Sequence, residues 1–159
     1  MADLEGSLDR VGRGRSFAGG KATFNDAQCI LCHRFGNEGG SVGPELTAVS
    51  SKYKQREILE SLIEPSKVVS EQYQNFTILK KNGESETGRI VDETDERITL
   101  QSSPLLPDRL ELQKSEIADR RPSKVSPMPE ALLNSFTEDE ILDLLAYLES
   151  GGKDKTASR

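Results

Sequence analysis

The sequence predicts a mainly helical domain that carries an inserted small antiparallel β unit, so that the fold is α+β overall. Apolar residues recur with helical spacing after Ser16, over about 54–64 and after Thr137. Between about 72 and 122 the spacing changes to alternation, which is typical of strands with one buried face. The predicted helical segments therefore flank the predicted β unit in the chain.

Length and composition predict one small domain with flanking segments. The chain has 159 residues, of which 34% are hydrophobic and 30% charged, so the apolar supply for a core is modest. Residues 1–15, rich in Gly and Arg, are expected to form a linker, and 16–150 the domain with its insertion at about 72–122. Residues 151–159 are expected to be a disordered tail.

Local signals indicate where the first and last helices lie. Gly20 and Phe24 are four residues apart in the first helix, and Gly20 would let another helix cross closely. Thr137 starts the last helix and forms a capping box with Glu140, and Gly151 ends it. The apolar stripe of this last helix comprises Ile141, Leu144, Leu145 and Leu148.

The β unit is predicted from alternation and one turn signal. Phe76 and Ile78 alternate with polar residues, and Asn82-Gly83 offers a tight hairpin turn. Further strands are predicted around 86–91, 97–100 and 109–112. The unit carries no candidate catalytic cluster, so we expect either a docking or shielding role or plain structural elaboration.

Charge and hydropathy exclude several classes of protein. The net charge of −6 and the sequence pI of about 5.0 argue against a nucleic-acid-binding protein, which would carry a basic patch. No run of about 18 apolar residues is present, so no membrane span is predicted. The first seven residues lack the apolar region of a secretory signal. If the protein is exported, we expect its signal to have lain further upstream.

Both cysteines and the single histidine of the chain lie within five residues. Cys29, Cys32 and His33 form a C-x-x-C-H motif, which is typical of covalent haem attachment. Two thiols one helical turn apart can each form a thioether, and the adjacent imidazole can bind the iron. A structural zinc site needs four N or S ligands, which the chain cannot supply. A buried disulfide remains an alternative, although it would not need the histidine.

Two further segments contain candidate haem-site residues. The loop 34–46 has four glycines and a proline, so we expect no regular secondary structure in it. It ends in Gly43-Pro44-Glu45-Leu46. Met128, the only methionine besides the initiator, lies between two prolines and is a candidate sixth iron ligand. Ligation by His33 and Met128 would be the arrangement of electron-transfer cytochromes.

The order of these motifs resembles class I cytochromes c over residues 15–71 and 123–150. The resemblance implies a helical haem core that binds one covalent haem c with its iron. It also implies that the Pro44 carbonyl accepts the Nδ1 proton of His33 and that Leu46 packs on the haem ring. The first helix would cross the last one near the haem.

With the β insertion included, residues 16–150 resemble the haem-binding domain of planctomycete and verrucomicrobial multidomain proteins. In that family the module commonly ends large exported proteins that also carry dehydrogenase-like or repeat domains. The resemblance implies a redox partner protein or a fused dehydrogenase domain, and a periplasmic or otherwise extracytoplasmic location.

Three functions are compatible with these residues. A one-electron carrier needs both axial positions filled by protein, here by His33 and Met128, and no catalytic residue is then predicted. A gas sensor or peroxidase-like site would instead have an open sixth position, with Arg120 and Arg121 as the nearest candidate distal groups. A structural interaction module would bind no haem. The carrier is the function that we expect.

Overall fold

A computed structural model describes residues 2–103, 106 and 108–154. The chain forms two compact units, one made of Met1–Lys67 with Pro129–Arg159 and the other of Val68–Met128. Helices account for 32% and strands for 23% of the structure. The expected mainly α class I cytochrome fold is therefore wrong. The alternating segment forms five paired strands with a core of their own, which makes the chain α+β.

The first unit is mainly helical. Its helices are α1 (Ala2–Glu5), the 3-10 turn Leu8–Arg10, α2 (Phe17–Asp26), α3 (Cys29–Cys32), α4 (Val49–Lys52), α5 (Gln55–Ile63) and α6 (Glu138–Ser150). Two short antiparallel strands, β1 (Arg34–Phe35) and β2 (Glu38–Gly39), form a hairpin. The segment 1–15, predicted as a linker, contains two short helical turns and the buried Val11.

The last helix has the predicted caps at both ends. The Thr137 hydroxyl accepts a hydrogen bond from the Glu140 backbone N–H, and the Glu140 carboxylate accepts one from the Thr137 backbone N–H at 2.7 Å. Gly151, with φ of 62°, ends α6 in the left-handed conformation that glycine adopts without strain. The predicted stripe of Ile141, Leu144, Leu145 and Leu148 is buried. The capping box and the apolar face are confirmed.

Helices α2 and α6 pack at a point where α2 has no side chain. A Cβ on Gly20 would lie 2.2 Å from the backbone oxygen of Asp143 and 2.5 Å from the Cβ of Tyr147. No side chain fits at such distances, so glycine is required for this crossing. Phe24, one turn further along α2, is only 1% exposed and packs against the Tyr147 ring.

The second unit is a five-stranded antiparallel sheet with strand order β6-β5-β4-β3-β7. Its strands are β3 (Phe76–Lys80), β4 (Ser85–Glu93), β5 (Arg97–Gln101), β6 (Arg109–Gln113) and β7 (Ile117–Pro122). The predicted turn at Asn82-Gly83 lies in the β3–β4 hairpin, where the Lys80 N–H donates to the Glu84 carbonyl at 2.8 Å.

The sheet curls into a small, partly closed barrel. Strands β6 and β7 occupy opposite edges, yet only the 3-10 turn Lys114–Glu116 connects them. Four residue steps span about 14 Å, whereas the edges of a flat five-stranded sheet lie about 19 Å apart. A bulge between Ile90 and Asp92 lets β4 bend. The enclosed core consists of Ile78, Ile98, Leu100 and Leu112.

In the part of the chain that the structure describes, no helix is long and apolar enough to cross a membrane. Of the predicted disordered tail 151–159, residues 155–159 lie outside the described residues.

Candidate haem-binding site

The two thiols lie at the ends of the short helix α3. The His33 backbone N–H donates to the Cys29 carbonyl at 2.9 Å, which closes one helical turn. Because residues three apart are neighbours on a helix surface, Cys29 and Cys32 share one face of this turn. Both cysteines are free, so no disulfide joins them. Gln28, with φ of 60°, reverses the chain between α2 and α3.

The imidazole of His33 has one nitrogen held by the backbone. Its Nδ1 lies 2.7 Å from the carbonyl oxygen of Pro44. A carbonyl oxygen can only accept, so Nδ1 carries the proton and donates it. The lone pair is then on Nε2, which is the tautomer and orientation that a histidine ligand needs.

Gly43 lies directly against the His33 ring. A Cβ at this position would be 2.7 Å from Cε1 and 2.9 Å from Nδ1 of the imidazole. The Gly43 N–H also donates to the Cys32 carbonyl at 2.7 Å. The absence of a side chain therefore lets the Gly43-Pro44 segment pass close enough for the Pro44 carbonyl to reach the ring.

Two more glycines pack on the backbone of the C-x-x-C-H segment. A Cβ on Gly39 would lie 2.2 Å from the His33 carbonyl oxygen, and a Cβ on Gly40 would lie 2.2 Å from that of Leu31. The hairpin β1–β2 brings these glycines back to the motif, so the expectation of no regular secondary structure in 34–46 is wrong. Sequence reasoning missed these contacts. The four glycines of the loop were the signal that could have indicated them.

Burial shifts the ionisation of all three motif side chains. It raises the pKa of the Cys29 thiol to about 11 and raises the pKa of Cys32 as well. It lowers the pKa of His33, although the hydrogen bond to Pro44 acts in the opposite direction. At neutral pH the imidazole is therefore neutral, which is the form that binds a metal.

Leu46 is half-buried and continues the loop beyond Pro44. Its backbone N–H donates to the Arg34 carbonyl at 2.9 Å, which ties the loop to the strand that follows His33. Packing of its side chain on a haem ring stays a prediction.

Comparison with known proteins supports a family for this segment. Residues 17–95 match the family model described as Cytochrome c. This segment, just under half of the chain, is therefore similar to cytochrome c domains. A search of curated proteins gives no significant match. This similarity suggests a haem-binding protein with an electron-transfer function, and proteins of that class usually are not enzymes.

The motif side chains of this segment fit a covalently attached haem. The site supplies two free thiols on one helical turn and an imidazole whose Nε2 carries the lone pair. Within the described ranges, no group of three or more His, Cys, Asp or Glu side chains could hold a metal ion by themselves. Binding of an iron by His33 stays a prediction.

Met128 lies outside the segment that matches the cytochrome c model. It is half-buried and is the last residue of the sheet-containing unit, whereas His33 belongs to the helical unit. Its backbone N–H donates to the Ser126 hydroxyl at 3.1 Å. Ligation of one iron by both His33 and Met128 stays a prediction, as does the resemblance to planctomycete and verrucomicrobial multidomain proteins.

Proposed function

We propose that this protein is a monohaem c-type cytochrome module that carries single electrons. The observation that carries the proposal is the C-x-x-C-H segment whose histidine donates its Nδ1 proton to the Pro44 carbonyl at 2.7 Å. The two cysteines would attach the haem, and Nε2 of His33 would bind the iron on one side. When bound, the haem iron supplies the ferric/ferrous couple.

Each cysteine would form one thioether when haem is attached. The S–H group would add across a vinyl double bond of the haem, with a new C–S bond to one vinyl carbon and the thiol proton on the neighbouring one. No group leaves and no external oxidant is required. Cys29 and Cys32, one turn apart, serve the two vinyl groups of one macrocycle. The His33 side chain, anchored by Pro44, is a stronger donor because its Nδ1–H is hydrogen-bonded.

Met128 is proposed as the sixth ligand. It is the only methionine other than the initiator, and Pro127 and Pro129 limit the conformations of its loop. A thioether ligand favours ferrous iron and raises the reduction potential. With both His33 and Met128 as ligands, the protein would leave no coordination site open, so no substrate chemistry is proposed.

The electron donor and acceptor are proposed to be a redox partner protein or a fused dehydrogenase domain. Thioether attachment in bacteria takes place outside the cytoplasmic membrane, so a periplasmic or otherwise extracytoplasmic location is proposed with it.

The test is an absorption spectrum of protein exported together with the haem-attachment machinery, oxidised and reduced, with and without carbon monoxide. We expect sharp bands in the reduced state that carbon monoxide does not change. A shift on adding the gas would contradict ligation by Met128 and would indicate an open sixth position. Purified protein without haem would contradict the proposed function as a whole.

A further inference from the structure

The strand that follows His33 is anchored in an aromatic cluster. We define this cluster as Phe17, Phe24, Phe35 and Tyr147, which come from α2, β1 and α6. The Phe35 ring lies 4.7 Å from the Tyr147 ring and 5.6 Å from the Phe24 ring, centroid to centroid. Phe35 is only 4% exposed. It is the one member of the cluster that lies on the short strand β1, two residues after His33.

The backbone on both sides of Phe35 holds the loop that carries Pro44. The Arg34 carbonyl accepts from the Leu46 N–H at 2.9 Å, and the Gly36 N–H donates to the Thr47 hydroxyl at 2.8 Å. Leu46 and Thr47 follow Pro44 by two and three residues. The position of the Pro44 carbonyl, and with it the His33 hydrogen bond, therefore depends on where Phe35 holds β1.

Both the backbone and the ring of His33 are thus held by segments that are bonded next to Phe35. Its backbone continues directly into β1, and its ring is held by Pro44, whose loop is bonded to β1 on either side of Phe35. A second contact supports the hairpin, because Lys21 of α2 pairs with Glu38 of β2 at 3.2 Å. The Phe35 side chain therefore links helices α2 and α6 to the backbone segment that holds the imidazole.

We propose that Phe35 is a positioning residue for His33, which sets the His33–Pro44 hydrogen bond and hence the donor strength of the iron ligand. This inference rests on the proposed function. Loosening β1 would let the Pro44 carbonyl move away from Nδ1, and the imidazole would become a weaker donor. A weaker donor stabilises ferric iron less, so the reduction potential would rise.

The test compares Phe35→Leu with Phe17→Leu in the haem-loaded protein. The control makes the same chemical change in the same cluster, since Phe17 also packs on Tyr147 at 5.0 Å, but it lies in the first turn of α2. The measurements are hydrogen exchange of the His33 Nδ1 proton by NMR in the reduced state, the reduction potential and the thermal midpoint. We expect about tenfold faster exchange of the Nδ1 proton, which corresponds to about 1.4 kcal/mol, and a higher reduction potential. Both changes should occur in Phe35→Leu and not in Phe17→Leu.

A second variant keeps the test decisive if Phe35→Leu does not fold. Thr47→Val removes the hydroxyl that accepts from Gly36 without touching the aromatic cluster, and we expect the same faster exchange. Phe17→Leu shows how much faster the Nδ1 proton exchanges when global stability alone is reduced. If exchange in Phe35→Leu and Thr47→Val were faster only in proportion to their loss of global stability, the inference would be overturned. Wild-type protein without haem would contradict the proposed function instead. The fraction of the Nδ1–H tautomer would then be measured from ring-nitrogen shifts in haem-free wild type and haem-free Phe35→Leu. A lower fraction in Phe35→Leu would support the inference, and equal fractions would overturn it.

Discussion

The helical unit and the sheet unit hold their structures by different means. Around His33 and between α2 and α6 the helical unit relies on glycines whose missing side chains allow backbone contact, as at Gly20, Gly40 and Gly43. The sheet unit relies mainly on alternation around a small apolar core, and the one comparable glycine contact among its described residues is that of Gly88 with the Gln101 backbone. Exposed ion pairs occur in both units. The C-x-x-C-H residues Cys29, Cys32 and His33 all lie in the helical unit, whereas Met128, the proposed sixth ligand, is the last residue of the sheet unit.

This difference predicts how the two units respond to substitution. Close backbone contacts tolerate no added atom, so substitutions of these glycines should be strongly destabilising, and those next to His33 should alter the haem site. Exposed ion pairs contribute little individually, so changes at the ion pairs of the sheet unit should be mild and should leave the haem spectrum unaltered.

The largest effect is expected when both thiols are removed. Replacement of Cys29 and Cys32 by Ala should abolish covalent haem, because each sulfur supplies one of the two bonds. The single variants serve as controls and should retain at most one thioether link each. Haem staining on denaturing gels measures the attachment. Residual stain in the double variant would show that the attachment site lies elsewhere.

Gly20→Ala tests the close packing of the helical unit. The added Cβ would lie 2.2 Å from the Asp143 oxygen, so α2 and α6 would have to separate. We expect a loss of about 3 kcal/mol in the free energy of unfolding, at the upper end of the range for overpacking. Gly12→Ala is the matched control, since no atom lies within 4 Å of its added Cβ, and it should change stability by less than about 0.5 kcal/mol.

Denaturant unfolding of both glycine variants, followed by circular dichroism, provides the measurement. Equal stabilities for Gly20→Ala and Gly12→Ala would mean that the helices do not pack as closely as described.

Met128→Ala tests the one residue of the sheet unit that is proposed to take part in the chemistry. Its loss should vacate the sixth position, because no other Met, His or Cys can replace it. The reduction potential should fall, and the reduced protein should now bind carbon monoxide. Val125→Ala, an exposed change in the same loop, should alter neither property. An unchanged potential together with indifference to carbon monoxide in Met128→Ala would remove Met128 from the ligand set.

The sequence predicted those features that depend on local chemistry. The capping box at Thr137 and the glycine at the end of α6 depend on residues a few positions apart, and the structure has both. The second helix, expected over 54–64, is found at Gln55–Ile63. Close packing at Gly20 could also be predicted, because Gly20 and Phe24 are one helical turn apart and lie on the same face of α2.

Features that depend on distant parts of the chain were missed. Alternation predicted strands but not the closure into a barrel, which needs the bulge at Ile90/Asp92 and a three-residue connection between edge strands. The contribution of the sheet to the fold was underestimated for this reason, and the expected fold class was wrong. At the haem site, the contacts of Gly39 and Gly40 depend on the β1–β2 hairpin, which the composition of the loop did not indicate.

The smallest effect is expected from Glu93→Gln in the sheet unit. Glu93 of β4 pairs with Lys114 at 2.8 Å and with Arg120 of β7 at 3.0 Å, so it links the central strand to the turn after β6 and to the edge strand β7. The hydrogen bond from Lys114, followed by that from Arg120, lowers the pKa of this carboxyl. A carboxyl with a lowered pKa in the folded state stabilises the fold above its unfolded value of about 4.3, and this contribution is lost as the pH falls through the folded value.

Wild type should therefore be slightly more stable than Glu93→Gln at pH 7, and the difference should shrink as the pH falls below about 4. Glu111→Gln on β6 is the matched control, because no ion pair is found at Glu111 within the described part of the chain, and it should show no such dependence. Urea unfolding at pH 7 and pH 3, followed by the β signal in circular dichroism, measures both variants. Haem spectra should remain those of wild type. A spectral change in Glu93→Gln, or a stability difference that grows at low pH, would contradict the separation of roles between the two units.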